Sequence, residues 1–135
     1  MERRSARAPR ARRGRLHCAL ASAGKPGAPD GIAALVRAHE TFAGGATSVA
    51  YVDDDLYIMV RLGHGAQRGL VFVLDNAGDG GRGRAVATPF HDQRLRPVAW
   101  WSSSDGGSPA EKTTDGSGHA ELWAPPRGYV VYAPS

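Results

Sequence analysis

The chain has 135 residues, enough for one domain built around a single modest core. Its formal charge of +4 is unevenly placed: seven arginines (Arg3, Arg4, Arg7, Arg10, Arg12, Arg13, Arg15) against Glu2 put +6 on residues 1–15, and the other residues carry ten basic and twelve acidic side chains, a net of −2. The mildly acidic body excludes a basic nucleic-acid groove. A lone Cys18 excludes a disulfide framework or a clustered zinc site, and no apolar run approaches the ~20 residues that span a bilayer.

Residues 1–29 are Arg, Ala, Gly and Pro without periodicity, the composition of a disordered leader or of a coding stretch read out of frame. The apolar stretch around Leu16 to Ala23 is broken by His17 and falls short of a secretory h-region of ~7–15 apolar residues. A cytoplasmic location is the default expectation. Order is expected to begin at Asp30, placed to cap a helix within residues 30–45. Its apolar positions Ile32, Leu35, Val36 and Phe42 fall near helical spacing, and Gly44-Gly45 ends it.

From residue 46 to residue 135 the texture is that of strands and turns. Residues 48–51 form a short strand closed by Asp53-Asp54-Asp55. Residues 56–62 alternate, with Leu56, Ile58, Val60 and Leu62 on one face. Residues 69–74 are almost wholly apolar, as befits a strand central to a sheet. A glycine-rich segment, 75–83, reads as a hairpin loop, since the Lys-Ser/Thr that a phosphate cradle needs does not follow its glycines. Weaker strands are expected at 84–88 and 97–101, a polar loop at 102–118, and closing strands at 119–124 and 128–133 around Pro125-Pro126-Arg127. Many short strands and one helix predict an all-β antiparallel sandwich preceded by that helix.

Five pieces in order carry a family resemblance: His39-Glu-Thr-Phe-Ala-Gly-Gly45; Tyr51-Val-Asp-Asp-Asp-Leu-Tyr-Ile-Met59; Gly69-Leu-Val-Phe-Val-Leu-Asp-Asn76; Pro97-Val-Ala-Trp-Trp101; and Glu121-Leu-Trp-Ala-Pro-Pro-Arg-Gly-Tyr-Val-Val-Tyr132. Together they resemble the C-terminal all-β domain of bacterial α-amylases of the glycoside hydrolase 13 type, over residues 30–134. The resemblance implies a Greek-key β-sandwich that follows a (β/α)8 barrel, with the helix as the last helix of that barrel. The family's catalytic Asp and Glu sit on barrel strands. None of their motifs occurs here, so the chain is expected to be inactive on α-glucan by itself. It further implies a calcium site at the junction between barrel and C-terminal domain, to which Asp55 and Asp75 or Asn76 could correspond. A solvated turn is the competing reading of the three adjacent aspartates.

Trp100 and Trp101 are adjacent on an expected strand, so their rings point to opposite faces. One belongs to the core and the other is a candidate platform for a glucose ring, with Trp123, Tyr129 or Tyr132 contributing. The five histidines are scattered and define no metal pair or catalytic triad. Three functions follow in order of support. The first is an accessory domain that stabilises an α-amylase barrel through a face left exposed in this chain. The second is an α-glucan-binding module acting through Trp100, Trp101 or Trp123, and the third a polyanion binder acting through the arginine-rich leader.

Overall fold

The computed structural model describes residues 31–103 and 108–135. The leader, the Asp30 cap, Cys18 and part of the expected 102–118 loop lie outside the described residues. The elements are α1 (Gly31–Phe42), β1 (Thr47–Val52), β2 (Leu56–Arg61), β3 (Leu70–Asp75), β4 (Arg82–Ala87), β5 (Arg94–Trp101), β6 (Lys112–Thr113), β7 (His119–Ala124) and β8 (Gly128–Pro134). Every strand pair is antiparallel. The order β1-β2-β3-β8-β5-β6 makes a six-stranded sheet, and β4-β7 makes a second, two-stranded one. The fold is the expected all-β, sandwich-like domain preceded by one helix. No helix of the described residues is long and apolar enough to cross a membrane.

Alternation along the strands assigns each face. On β2, Leu56, Ile58 and Val60 are buried as their period predicts, and they meet Val71, Val73, Val130 and Leu95 of the same sheet. Val86, Ala120, Leu122 and Ala124 of β4 and β7 close over them, forming the main core between the sheets. The opposite face of the large sheet carries a second cluster, Leu70, Ala99 and Val131, on which α1 rests. β8 lies between β3 and β5 and serves both cores, with Val130 and Tyr132 facing one and Val131 the other.

Several expectations need correction. The helix buries Ala34 and Ala38, with Leu35 and Phe42 partly covered, whereas Ile32 is 77% exposed and Val36 also faces solvent. Spacing alone favours the larger side chains. The seat on the sheet, however, is filled by Ala99 and Val131 and is met by the alanine stripe. Leu62 falls just past β2 and is exposed. The segment after Asp75 is no hairpin, because β3 and β4 belong to different sheets and the loop crosses between them. β5 begins three residues earlier than expected, at Arg94. Pro97 is accommodated at a register shift between Pro97 and Ala99, beyond Arg94 and Leu95, where β6 pairs. β6 itself falls inside the expected loop, and the Thr114 hydroxyl anchors it by accepting from Gln93 N at 2.9 Å.

As expected, the helix stops before Gly45, whose φ of 75° is left-handed. A Cβ there would strike the carbonyl of Gly63, so the turn requires glycine twice over.

The two faces of α1 give a direct test. Ala38→Leu overfills the buried stripe and is expected to destabilise by about 1–3 kcal/mol, whereas Ile32→Glu should stay within about 0.5 kcal/mol of the parent. Urea denaturation of both variants checks the assignment, and the reverse ranking would refute it.

Candidate functional site

The outer face of the large sheet is only partly covered by α1. Register pairs Val52 with Tyr57, Tyr57 with Leu74, Leu74 with Tyr129, and Tyr129 with Trp101. Directly paired residues share a face, so these five side chains form one row across β1, β2, β3, β8 and β5. The row alternates with the main-core positions and lies on the helix side, as Tyr129 packs against the second cluster. It is left open: Val52 is 64% exposed, Leu74 37% and Trp101 45%. A parallel row runs through Val49, Met59, Phe72, Val131 and Ala99, and α1 shelters its last two members. The Phe72 and Tyr129 rings stack between the rows, with centroids 5.8 Å apart. Between the helix and the uncovered strands runs an apolar groove of about 290 Å³ walled by Leu35, Ala38, Met59, Leu70, Phe72 and Val131. His39 and Arg61 also line the groove, and Ile32 and Val36 are exposed on the helix surface turned away from the sheet.

The three tryptophans do not share a platform. Trp101 belongs to the open row. Trp100 points the other way and packs against the main core, as the adjacency of the two residues predicts. It walls a cleft of about 500 Å³ at the open edge between the sheets, together with Tyr132, Lys112, Pro109, Pro125 and Trp123. The Tyr132 hydroxyl donates to the Trp123 carbonyl at 3.0 Å, and burial pushes that phenol up to about 12. The Trp123 ring lies against Gly81, where any Cβ would collide with it. Tyr129 is on the opposite face, with Trp101.

The acidic segment resolves into two roles. Asp53 staples its own turn: Oδ1 accepts from Leu56 N at 2.7 Å and Asp55 N at 2.9 Å, and Oδ2 from the Tyr51 hydroxyl at 2.8 Å. These bonds, that from Leu56 first, hold its carboxyl below the usual range. Asp75, by contrast, is fully buried at the end of β3. Its Oδ1 accepts from Ala77 N at 2.8 Å, while Oδ2 has no hydrogen-bond partner. Asp55 stands nearby, bonded through its carbonyl to Asn76 N at 2.8 Å, and the Asn76 side chain is exposed. What joins Asp55 and Asp75 is Arg82: its Nη2 is 3.5 Å from Asp55 Oδ2 and its Nε 4.0 Å from Asp75 Oδ1. The same Nη2 is 3.2 Å from Asp79 Oδ1. A guanidinium among three carboxylates does not fit a resident divalent cation, and no three metal-ligating side chains converge among the described residues. Arg82 sits in the glycine-rich segment, and its role shows only once β4 is seen to cross to the second sheet.

One further constellation is invisible in the sequence spacing. Ser117 Oγ lies 2.7 Å from Asp115 Oδ1 and 2.9 Å from His119 Nδ1. Asp115 also accepts from the backbone N of Ser117 and of His119, which, after the Ser117 hydroxyl, lowers its pKa. In a nucleophilic triad the acid orients the imidazole through its second nitrogen. Here the acid holds the hydroxyl and the backbone instead, so the motif is a stapled turn.

No family model matches the chain, and no curated protein matches it. Among solved structures it is similar to an α-amylase from Malbranchea cinnamomea, at 16% identity and a TM-score of 0.48. The match covers 76% of this chain and 20% of that one, so the chain spans about a fifth of the solved relative.

The carboxylates predict opposite pH responses. Burial, outweighing the Ala77 hydrogen bond and the nearby guanidinium, raises the Asp75 pKa. The folded state therefore holds that proton longer than the unfolded state, and Asp75 costs stability increasingly as pH rises from the unfolded value through the folded one. Asp53 has a lowered pKa, so its contribution is present above the unfolded value and lost as pH falls through the folded one. Carbon-13 NMR titration should place the Asp75 midpoint above the ordinary carboxylate value of ~3.9 and that of Asp53 below it. The opposite order would contradict the assignment.

Proposed function

We propose that the chain is an accessory β-domain that seats on the catalytic (β/α)8 barrel of an α-amylase and stabilises it, while carrying no glycosidic chemistry itself. At 135 residues the chain is too small to hold such a barrel, which typically takes ~250 residues. The observation that carries the reading is the open apolar row of Val52, Tyr57, Leu74, Tyr129 and Trp101, flanked by the outward side of α1. The five sequence pieces that resemble the α-amylase C-terminal domain supply the kind of partner. A barrel wrapped in amphipathic helices offers apolar surface where a helix is left uncovered, and the row would bury itself there. Each 100 Å² of apolar surface removed from water contributes about 2.5 kcal/mol before ordering costs. Inter-domain contacts of this kind run to about 600–1,500 Å².

The test mixes the chain with an α-amylase barrel expressed without its own C-terminal β-domain. Co-elution on size exclusion and a raised barrel melting temperature are expected, and both should be lost in the Leu74→Lys/Trp101→Lys double variant. Both positions are only partly exposed, so a circular-dichroism melt of the double variant is the control that it folds. Absence of co-elution by the parent, or co-elution unchanged in the double variant, sinks the reading.

The cleft beside Trp100 favours a second reading, α-glucan binding. Half-buried Trp100 and Trp123, with Lys112, line a space of sugar size. In gels containing soluble starch, the parent should be retarded and Trp100→Ala should not, with Leu74→Lys/Trp101→Lys keeping the retardation. Free migration of the parent removes this reading.

A further inference from the structure

Arg61 closes β2 and walls one part of the apolar groove beside α1. Alternation puts it there: Leu56, Ile58 and Val60 turn to the main core, and Tyr57, Met59 and Arg61 turn to the helix side. Its partly buried guanidinium is held by neutral acceptors alone. Nη1 donates to Thr47 Oγ1 at 2.7 Å and Nη2 to the Ala43 carbonyl at 2.8 Å, while Nε is buried without a hydrogen-bond partner. No carboxylate of the described residues forms an ion pair with it. His39, in the last turn of α1, is the other titratable side chain on the groove. The remaining walls are apolar, from Leu35 on the helix to Met59 and Phe72 on the sheet. Phe72 in turn stacks on Tyr129 of the open row, so groove and row are one continuous surface.

Seating a barrel on the open row therefore covers the groove and takes the Arg61 guanidinium out of water. A buried charge without a counter-charge is strongly unfavourable, whereas the same guanidinium met by a carboxylate forms a charge-assisted pair. Charge complementarity thus fixes what the partner must bring to this point. We propose that the groove anchors the contact, and that the barrel element seated in it presents a large apolar side chain with an Asp or Glu beside it, the carboxylate pairing with Arg61. The apolar side chain enters a space of about 290 Å³, and the carboxylate selects which flank of the barrel docks. The inference rests on the accessory-domain reading.

Two measurements test it. Octanoate is an apolar chain ending in a carboxylate, and octanol is the same chain without the charge. In proton–nitrogen NMR of the whole chain, octanoate should shift Met59, Arg61 and Phe72 saturably, and octanol at equal concentration should shift them far less. In calorimetry with an α-amylase barrel expressed without its β-domain, Arg61→Gln should bind roughly tenfold more weakly than the parent, or worse. Arg61→Lys, which keeps the charge, should bind more tightly than Arg61→Gln. Arg96 is exposed and walls the separate cleft between α1 and β5, so Arg96→Gln should stay within about twofold of the parent. If melting shows that Arg61→Gln does not fold, the octanoate and octanol comparison on the parent decides alone. Octanol matching octanoate, Arg61→Gln binding like the parent, Arg61→Lys no better than Arg61→Gln, or Arg96→Gln losing as much would each overturn this inference and leave the accessory-domain reading standing. A parent that does not bind the barrel removes that reading and this inference with it.

Discussion

Everything in this domain depends on one sheet having two apolar faces. β8 runs through its middle between β3 and β5, and its side chains alternate between two cores. Tyr132 and Val130 anchor the interior shared with β4 and β7, and Val131 anchors the seat of α1. The two-stranded sheet covers the inner face of the large sheet. A single twelve-residue helix cannot cover the other. The helix shelters Ala99 of β5 and Val131 of β8, and the remaining apolar surface runs as an open row from Trp101 of β5 through β8, β3 and β2 to Val52 of β1. Water contact with aromatic and branched side chains in a contiguous band is unfavourable, and that imbalance is the physical reason to look for a partner on this face.

The legible part of the fold was the part decided locally. Period-two alternation gave the inner face of β2 through Leu56, Ile58 and Val60, and the continuous apolar run marked β3 as central, whereas the central place of β8 did not show. Adjacency was enough to send Trp100 and Trp101 to opposite faces. What spacing could not reach was decided by tertiary packing. Alanines outranked Ile32 and Val36 for the buried side of α1 because the seat under the helix is narrow. A two-residue strand such as β6 has no period to detect. The pairing of β8 with β3 and β5 is a matter of register between distant segments. The open row is therefore invisible in any one strand, and exists only once five registers are aligned.

The same limit governs the site chemistry. Asp55 and Asp75 or Asn76 are singled out only through the family resemblance, and the structure brings Asp55 and Asp75 to one corner. Arg82 is hidden among glycines, and only the crossing of the chain to the second sheet carries it between them. Likewise Trp100 and Trp123 reach one cleft through the closing turn at Pro125 and Pro126. Their separation from Trp101 divides the molecule into two surfaces with different chemistry. One is broad and apolar, suited to a protein partner. The other is concave, walled by Trp100, Trp123 and Lys112.

The central claim is that the open face, and not the cleft, is where another protein sits. Hydroxyl-radical footprinting of the chain alone and mixed with an α-amylase barrel reads both surfaces in one experiment. The account predicts protection at Val52, Tyr57, Leu74 and Trp101 and on the Ile32 and Val36 side of the helix, with Trp100 and Trp123 unchanged. Protection confined to Trp100 and Trp123, or no protection anywhere, would contradict it.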